Sequence, residues 1–191
     1  MNTKEFNTVD KMIAHERLKK VKDFVEDGDT ILDFGCGVNS FLLESVAKKI
    51  RMGVGVDYDA INRNWEKNIS YVKHKFEDNL PFTNETFDKI FLLAVLEHIE
   101  IDKVNKLFLE FKRVLKKDGL VILTTPTLMN KMPLEFLANL GVISAGEVYD
   151  HKKYYQKKDV AKLAKSSGLE LVSYDIFQLG LNSRAVLKKN N

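Results

Sequence analysis

The composition indicates one globular domain with no strong electrostatic preference. At 191 residues, with 45% apolar and 30% charged residues, the chain is long enough to bury one core but short for two domains. Its 30 basic and 27 acidic residues are mixed along the whole sequence, so the net charge of +3 predicts no phosphate-binding field and excludes nucleic acid as the default partner. We therefore expect a single domain over residues 1–191.

Membrane and cysteine-based functions are also disfavoured. No apolar run approaches the roughly 20 residues of a membrane span. The first segment, MNTKEFNTVDK, lacks the apolar stretch of a signal peptide, which predicts a cytoplasmic protein. Cys36 is the only cysteine, so neither an internal disulfide nor a cysteine-rich zinc site is expected, and we predict no metal site.

Helical and strand patterns alternate through the first two thirds of the chain. Apolar residues three or four apart predict a helix from about Val9 to Val25, and short apolar runs predict buried strands. The predicted strands are 30–34, 53–57, 70–73, 87–93 and 120–124. The helices predicted between them are 42–50, a polar helix near 61–67, and 104–115. Apolar strands alternating with helices predict an α/β fold, doubly wound around a mostly parallel sheet.

The pattern changes after Pro126. A short helix is predicted over Met132–Leu140, within a substrate-side insertion at about 127–155. A helix capped by Gly168 follows, and two strands with a short turn close the chain as an antiparallel hairpin. We expect this insertion to lie over the carboxyl edge of the sheet, where α/β folds bind ligands.

The most informative motif is a glycine loop after the first strand combined with an acid at the end of the second. Gly35 and Gly37 lack Cβ atoms, so the backbone can turn tightly and approach a flat ligand. Asp57 stands where a carboxylate can accept both hydroxyl hydrogens of a ribose. These features suit any cofactor that contains adenosine.

Charge distinguishes between the possible cofactors. A dinucleotide site requires a third glycine, G-x-G-x-x-G, and the third position here is Ser40. Asp33 stands just before the glycines, where it would repel a pyrophosphate but attract a ligand with an ammonium and a sulfonium. S-adenosylmethionine (SAM) is therefore favoured over NAD.

The sequence resembles the class I, Rossmann-like SAM-dependent methyltransferases, specifically their type-11 or type-23 branch. The resemblance runs from about Arg17 to Leu187 and depends on several blocks in the right order. The blocks are ILDFGCG, GVGVDYD, LPFTNETFDKIFLLAVLEHI, FKRVLKKDGLVILTTPT and DHKKYYQKKDVAKLAKSSGLELV. It implies a seven-stranded sheet whose last strand is antiparallel.

The resemblance also implies roles for individual residues. Asp33, Gly35 and Gly37 would hold the methionine part of SAM, while Asp57 would hold the ribose and Tyr58 would pack on the adenine.

One block departs from the family pattern. Family members place an Asp after the third strand to accept from the adenine amino group. Lys75 or Phe76 stands there in this chain, so the adenine contact falls to Glu77, Asp78 or the backbone.

Two histidines are candidates for catalysis. Glu97 and His98 follow the fourth predicted strand. Glu97 has a purely structural alternative, since it could cap the next segment. His151 follows the insertion and can serve either as a base or as a cap at the start of a helix. His98 is expected at the pocket end of the sheet, either as a base or as a hydrogen-bonding filler, and His151 is expected near the methyl group.

These observations predict an SN2 methyl transfer from SAM to a small-molecule, sugar or lipid-linked glycan acceptor. The acceptor class follows from the family resemblance alone. Two alternatives remain: a catalytically silent protein of the same fold that binds SAM or a partner, and, less favoured, an NAD-dependent oxidoreductase.

Overall fold

A computed structural model describes residues 8–130 and 152–190, which form one mixed sheet with helices on both faces. The helices of these ranges are α1 (Thr8–Val21), α2 (Phe41–Val46), α3 (Ile101–Val114) and α4 (Lys157–Ser167). The strands are β1 (Thr30–Phe34), β2 (Met52–Asp57), β3 (Arg63–Trp65), β4 (Ile69–Lys73), β5 (Phe87–Leu93), β6 (Leu115–Pro126), β7 (Glu170–Phe177) and β8 (Asn182–Lys188). Short 3-10 turns occupy Lys22–Phe24, Leu96–His98 and Leu128–Asn130.

The strand order is β3-β4-β2-β1-β5-β6-β8-β7. The five strands from β4 to β6 in this order are mutually parallel, β8 runs antiparallel to β6, and β7 runs antiparallel to β8. This confirms the doubly wound, mostly parallel α/β fold and its terminal antiparallel hairpin. The sheet has eight strands instead of the expected seven because β3 is added at one edge.

The polar helix predicted near 61–67 is wrong. Arg63–Trp65 instead forms β3, antiparallel to β4, and Arg63 stands opposite Tyr71. A helix without an apolar stripe has nothing to bury against the sheet, so tertiary contacts decide the conformation. Glu66 has a φ of 57°, in the left-handed region, which is incompatible with continuing a right-handed helix.

Each face of the sheet has its own apolar core. On one face, α3 and α4 pack through Phe108, Phe111 and Val160. On the other face, α1 and α2 pack through Val21 and Leu43. Because both faces are covered, all five residues of β1 are buried, which explains the continuous apolar strands of the sequence.

The segment boundaries differ modestly from the predictions. α1 gives way to a 3-10 turn at Lys22, and β6 extends well beyond the predicted 120–124. The helix predicted over 132–140 and the central part of the predicted insertion lie outside the described residues. Among the described residues, no helix has the length and apolar character needed to cross a membrane.

Candidate cofactor site

The predicted cofactor residues meet at the carboxyl ends of two adjacent parallel strands. Asp33 lies one residue before the end of β1, and Asp57 is the last residue of β2. The register pairs Asp33 with Gly55 and Phe34 with Val56, so the two acids lie on neighbouring strands at the same edge. This edge is where open α/β sheets bind ligands.

The loop after β1 needs its glycines for two different reasons. Gly35 has a φ of 78°, and an added Cβ there would collide with the Val95 side chain. Gly37 has a φ of 67°, and an added Cβ there would meet nothing within 4 Å. Gly35 therefore permits close packing within the protein, while Gly37 leaves a bare backbone surface facing open space, which a ligand can approach.

Asp57 is held in place by backbone hydrogen bonds on both carboxylate oxygens. Its Oδ2 accepts from the Gly37 N–H at 2.9 Å, and its Oδ1 accepts from the Asp59 N–H at 2.8 Å. Each carboxylate oxygen keeps a second lone pair. The carboxylate is therefore fixed in orientation and retains acceptor capacity for a pair of hydroxyl groups.

Asp33 is a buried acid with an unusual proton affinity. Its side chain is 5% exposed, and its Oδ2 accepts a hydrogen bond of 2.5 Å from the Ser40 hydroxyl. Burial raises the pKa of Asp33 to about 7, opposed by the Ser40 hydrogen bond and reinforced by the negative charge of Asp57. A cation beside this carboxyl would favour its ionised form.

Ser40, where a dinucleotide site would have its third glycine, has a structural role of its own. It is the N-cap of α2, and its Oγ accepts from the Leu43 N–H at 2.9 Å while donating to Asp33. Its own N–H donates to the Tyr71 hydroxyl at 3.0 Å. Neither this role of Ser40 nor that of Tyr71 was predicted from the sequence. The preference for serine at helix N-caps was the available signal for Ser40.

The residues predicted to contact adenine lie in two different settings. Tyr58 follows Asp57 directly and is 64% exposed, so a face of its ring is accessible. Glu77 instead forms ion pairs with Lys75 (3.2 Å) and Lys103 (2.7 Å), and the hydrogen bond from Lys103 holds the pKa of Glu77 below its usual value.

Asp78 is likewise engaged by α3, through an ion pair of 2.6 Å with Lys106. These ion pairs of Glu77 and Asp78 therefore connect their loop to α3. Phe76, one of the two residues near the position of the missing acid, packs edge-on against Phe34 with 6.3 Å between ring centroids.

A second acid is buried at the carboxyl ends of β5 and β6. Glu97 is 2% exposed and accepts a hydrogen bond of 3.1 Å from the Thr125 hydroxyl. Burial raises the pKa of Glu97, and a backbone hydrogen bond and the hydrogen bond from Thr125 oppose the shift. Glu97 does not cap α3, whose N-cap is Glu100, so the capping alternative is wrong. An acid inside an apolar block directly after a strand was the signal for this buried site.

Of the two candidate bases, His98 lies within the described residues and His151 does not. His98 is half-buried on the same 3-10 turn as Glu97. His151 lies outside the described residues, but its neighbour Lys152 donates its N–H to the Glu97 carbonyl oxygen at 2.7 Å. The chain therefore passes the end of β5 immediately after position 151.

Comparisons with known proteins identify the family to which the chain belongs. The family described as "Methyltransferase domain" matches residues 9–174. The uncharacterized protein MJ1252 of Methanocaldococcus jannaschii is 26% identical over 168 residues, which cover 78% of this chain and 64% of that protein. The chain spans between 20% and 64% of the length of the curated relatives it matches.

Solved structures share the fold at low sequence identity. A SAM-dependent methyltransferase from Archaeoglobus fulgidus superimposes with a TM-score of 0.70 at 14% identity, covering 93% of this chain and 94% of that one. A 1,6-didemethyltoxoflavin-N1-methyltransferase from Burkholderia thailandensis was solved with bound 1,6-didemethyltoxoflavin and S-adenosylhomocysteine (SAH). It superimposes with a TM-score of 0.67 at 12% identity, covering 92% of this chain and 77% of that one. Because the family match covers most of the chain, we conclude that the protein belongs to the methyltransferase-domain family, in the type-23 branch and with the Rossmann-like class I fold expected from its sequence.

Proposed function

We propose that this chain transfers a methyl group from SAM to a small-molecule, sugar or lipid-linked glycan acceptor. The observation that carries the proposal is the placement of two acids, Asp33 and Asp57, on either side of the glycine loop at the carboxyl edge of the sheet. Membership of the methyltransferase family and the related fold bound to SAH support the choice of cofactor.

The residues present fit SAM by charge and by shape. Asp33 is buried beside a hydroxyl and near a second acid, so a ligand ammonium would stabilise it in ionised form. Asp57 is oriented to accept from a ribose diol, and the open face at Gly37 admits the methionine chain. When bound, SAM supplies an electrophilic methyl group on a sulfonium.

The same contacts argue against a dinucleotide. A pyrophosphate would need the free N–H groups at the start of α2, but the Ser40 hydroxyl already accepts from Leu43 N–H there. Asp33 would in addition repel the phosphate charge. An NAD-dependent oxidoreductase is therefore the weaker proposal.

Adenine recognition follows as part of the proposal. We propose that the exposed ring of Tyr58 packs on the adenine, with Glu77, Asp78 or the backbone of their loop facing its polar edge. The Lys75→Asp variant places an acid at one of the two positions where the family acid is expected, so it should bind SAM as tightly as the wild type or more tightly.

We place the acceptor between the cofactor site and the ends of β5 and β6. His98 or His151 would accept its proton, and Glu97, fixed by Thr125, would hold the surrounding segments in position. Because methyl transfer gains most of its rate from alignment and exclusion of water, the base is helpful but not obligatory.

The test is a screen of hydroxyl, amine, sugar and lipid-linked glycan acceptors for SAH release. We expect release that depends on one acceptor and is lost in Asp57→Ala. If the chain binds SAH but releases none with any acceptor, the proposed methyl transfer is contradicted and the catalytically silent alternative is favoured.

A further inference from the structure

β3, the strand that replaces the predicted helix, brings a cation to the glycine loop. Nη2 of Arg63 donates to Asn39 Oδ1 and to the Val38 carbonyl oxygen, the latter at 3.5 Å. The guanidinium also lies over the Tyr71 ring, with its Cζ 4.8 Å from the ring centroid. One side chain therefore contacts both the loop and the neighbouring strand β4.

Together Arg63 and Tyr71 hold three consecutive residues of the loop. Arg63 contacts Val38 and Asn39, while the Tyr71 hydroxyl accepts from the Ser40 N–H at 3.0 Å. The first half of the loop is anchored differently, through β2. There the Val56 carbonyl oxygen accepts from the N–H groups of residues 35 and 36 at 2.7 and 3.3 Å.

Val38 and Asn39 depend on this outer anchor more than Ser40 does, because Ser40 is buried and also bonds to Asp33 and Leu43. Val38 is 44% exposed and Asn39 is exposed, so neither is held by burial in the core. A loop that samples open conformations binds its ligand more weakly, because part of the binding free energy is then used to order the loop. Fixing the loop in advance removes that cost.

We infer that Arg63 is a positioning residue of the cofactor site, acting through Asn39 to hold the glycine loop in the conformation that receives SAM. The inference rests on the proposed function for its effect on SAM, but the effect on the loop itself is independent of any ligand. Arg63 is expected to set cofactor affinity and not the chemical step.

The chain contains a natural reporter of loop opening. Cys36 is its only cysteine and lies between the two loop glycines. Its thiol donates to the Gly37 carbonyl oxygen at 3.3 Å, and burial raises the thiol pKa, so a thiol reagent reacts slowly until the loop opens. Val38 and Asn39 follow Cys36 and Gly37 closely in the chain, so release of these two residues from Arg63 is expected to expose the thiol. The labelling rate without ligand therefore reports on the contact of Arg63 with Val38 and Asn39, which we call the latch.

The variants are Arg63→Ala, Arg63→Lys, Asn39→Ala and the double alanine. Arg51→Ala is the matched control, because Arg51 is an exposed guanidinium that donates to Thr30 Oγ1 at 2.6 Å, at the opposite end of β1. We expect Arg63→Ala and Asn39→Ala each to speed labelling about tenfold, the factor for losing a charge-assisted hydrogen bond. The double variant should be labelled no faster than the faster of the two single variants, because both remove the same contact. The labelling rate of Arg63→Lys should lie between those of the wild type and Arg63→Ala, and Arg51→Ala should be labelled at the wild-type rate.

SAH affinity should fall by the same factor in Arg63→Ala, while kcat at saturating SAM stays within about twofold. Wild-type labelling rates in Arg63→Ala and Asn39→Ala would overturn the inference, as would a loss of kcat with unchanged SAH affinity. If Arg63→Ala fails to fold, Asn39→Ala alone decides. If SAH does not protect Cys36 of the wild type, the proposed cofactor site fails, while the latch is still judged by the ligand-free rates.

Discussion

The N–H of Gly37 donates to the Asp57 carboxylate at 2.9 Å, which makes the glycine loop after β1 and the acid at the end of β2 one hydrogen-bonded unit. In the proposed function Asp57 therefore has two roles, since it supports the loop and would present acceptor oxygens to a ribose. Loss of its side chain should impair both.

Asp57→Ala is expected to weaken SAH binding at least about tenfold, because each charge-assisted hydrogen bond is worth roughly 1.5–3 kcal/mol. Calorimetric titration measures the change. Asp59→Ala is the control, since Asp59 contributes its backbone N–H, which the substitution keeps. Equal affinity in the wild type and Asp57→Ala would contradict the ribose assignment.

The affinity for SAH should rise with pH between about 6 and 8. The pKa of Asp33 is about 7 in the ligand-free protein, and the ammonium of SAH favours the ionised carboxyl, so binding below pH 7 must release a proton. Affinity at pH 6 is expected to be about tenfold lower than at pH 8. Calorimetric titrations in two buffers of different ionisation enthalpy detect the proton released on binding. The affinity of Asp33→Asn for SAH should not depend on pH in this range. Identical affinities at both pH values in the wild type would argue against Asp33 as the partner of the ammonium.

Asp33→Asn should stabilise the ligand-free protein at alkaline pH. The folded-state pKa of Asp33 is raised to about 7 from its ordinary value of 3.8, so the folded state binds the extra proton between these values. Stability therefore falls as pH rises through this window, and the full cost is present above pH 7. Removing the acid should raise the Tm by a few degrees at pH 8 and by less at pH 4. A lower Tm at pH 8, or an equal change at both pH values, would show that burial of Asp33 carries no such cost.

The proton acceptor can be identified with two single variants. His98→Ala and His151→Ala are each to be measured for SAH affinity and, once an acceptor is found, for turnover. The histidine that serves as base should lose about a hundredfold in turnover at unchanged affinity, the lower range for a positioned acid or base. If both variants keep their turnover, neither histidine takes the proton.

The parallel core could be predicted because its signals are local and periodic. The apolar run of β1 and the stripe of Val104, Leu107 and Phe111 on α3 report burial directly, and both are fully or nearly fully buried. The glycine loop and Asp57 were recognisable because steric freedom and charge at a strand end are properties of single residues.

β3 and the contacts of Glu77 and Asp78 could not be predicted in the same way. Arg63 reaches Asn39 only because β3 pairs with β4, and three polar residues carry no periodic signal. Likewise, Glu77 and Asp78 meet Lys103 and Lys106 because α3 packs beside their loop, which is a consequence of tertiary structure. Such contacts depend on residues distant in sequence.

The most direct test of the proposed function is calorimetric titration of the wild-type chain with SAH and, separately, with NAD. Because Asp33 and Asp57 form one anionic site around the glycine loop, we expect SAH to bind with one-to-one stoichiometry and NAD to give no binding heat. Binding of NAD, or no binding of SAH, would contradict the assignment of this site to SAM.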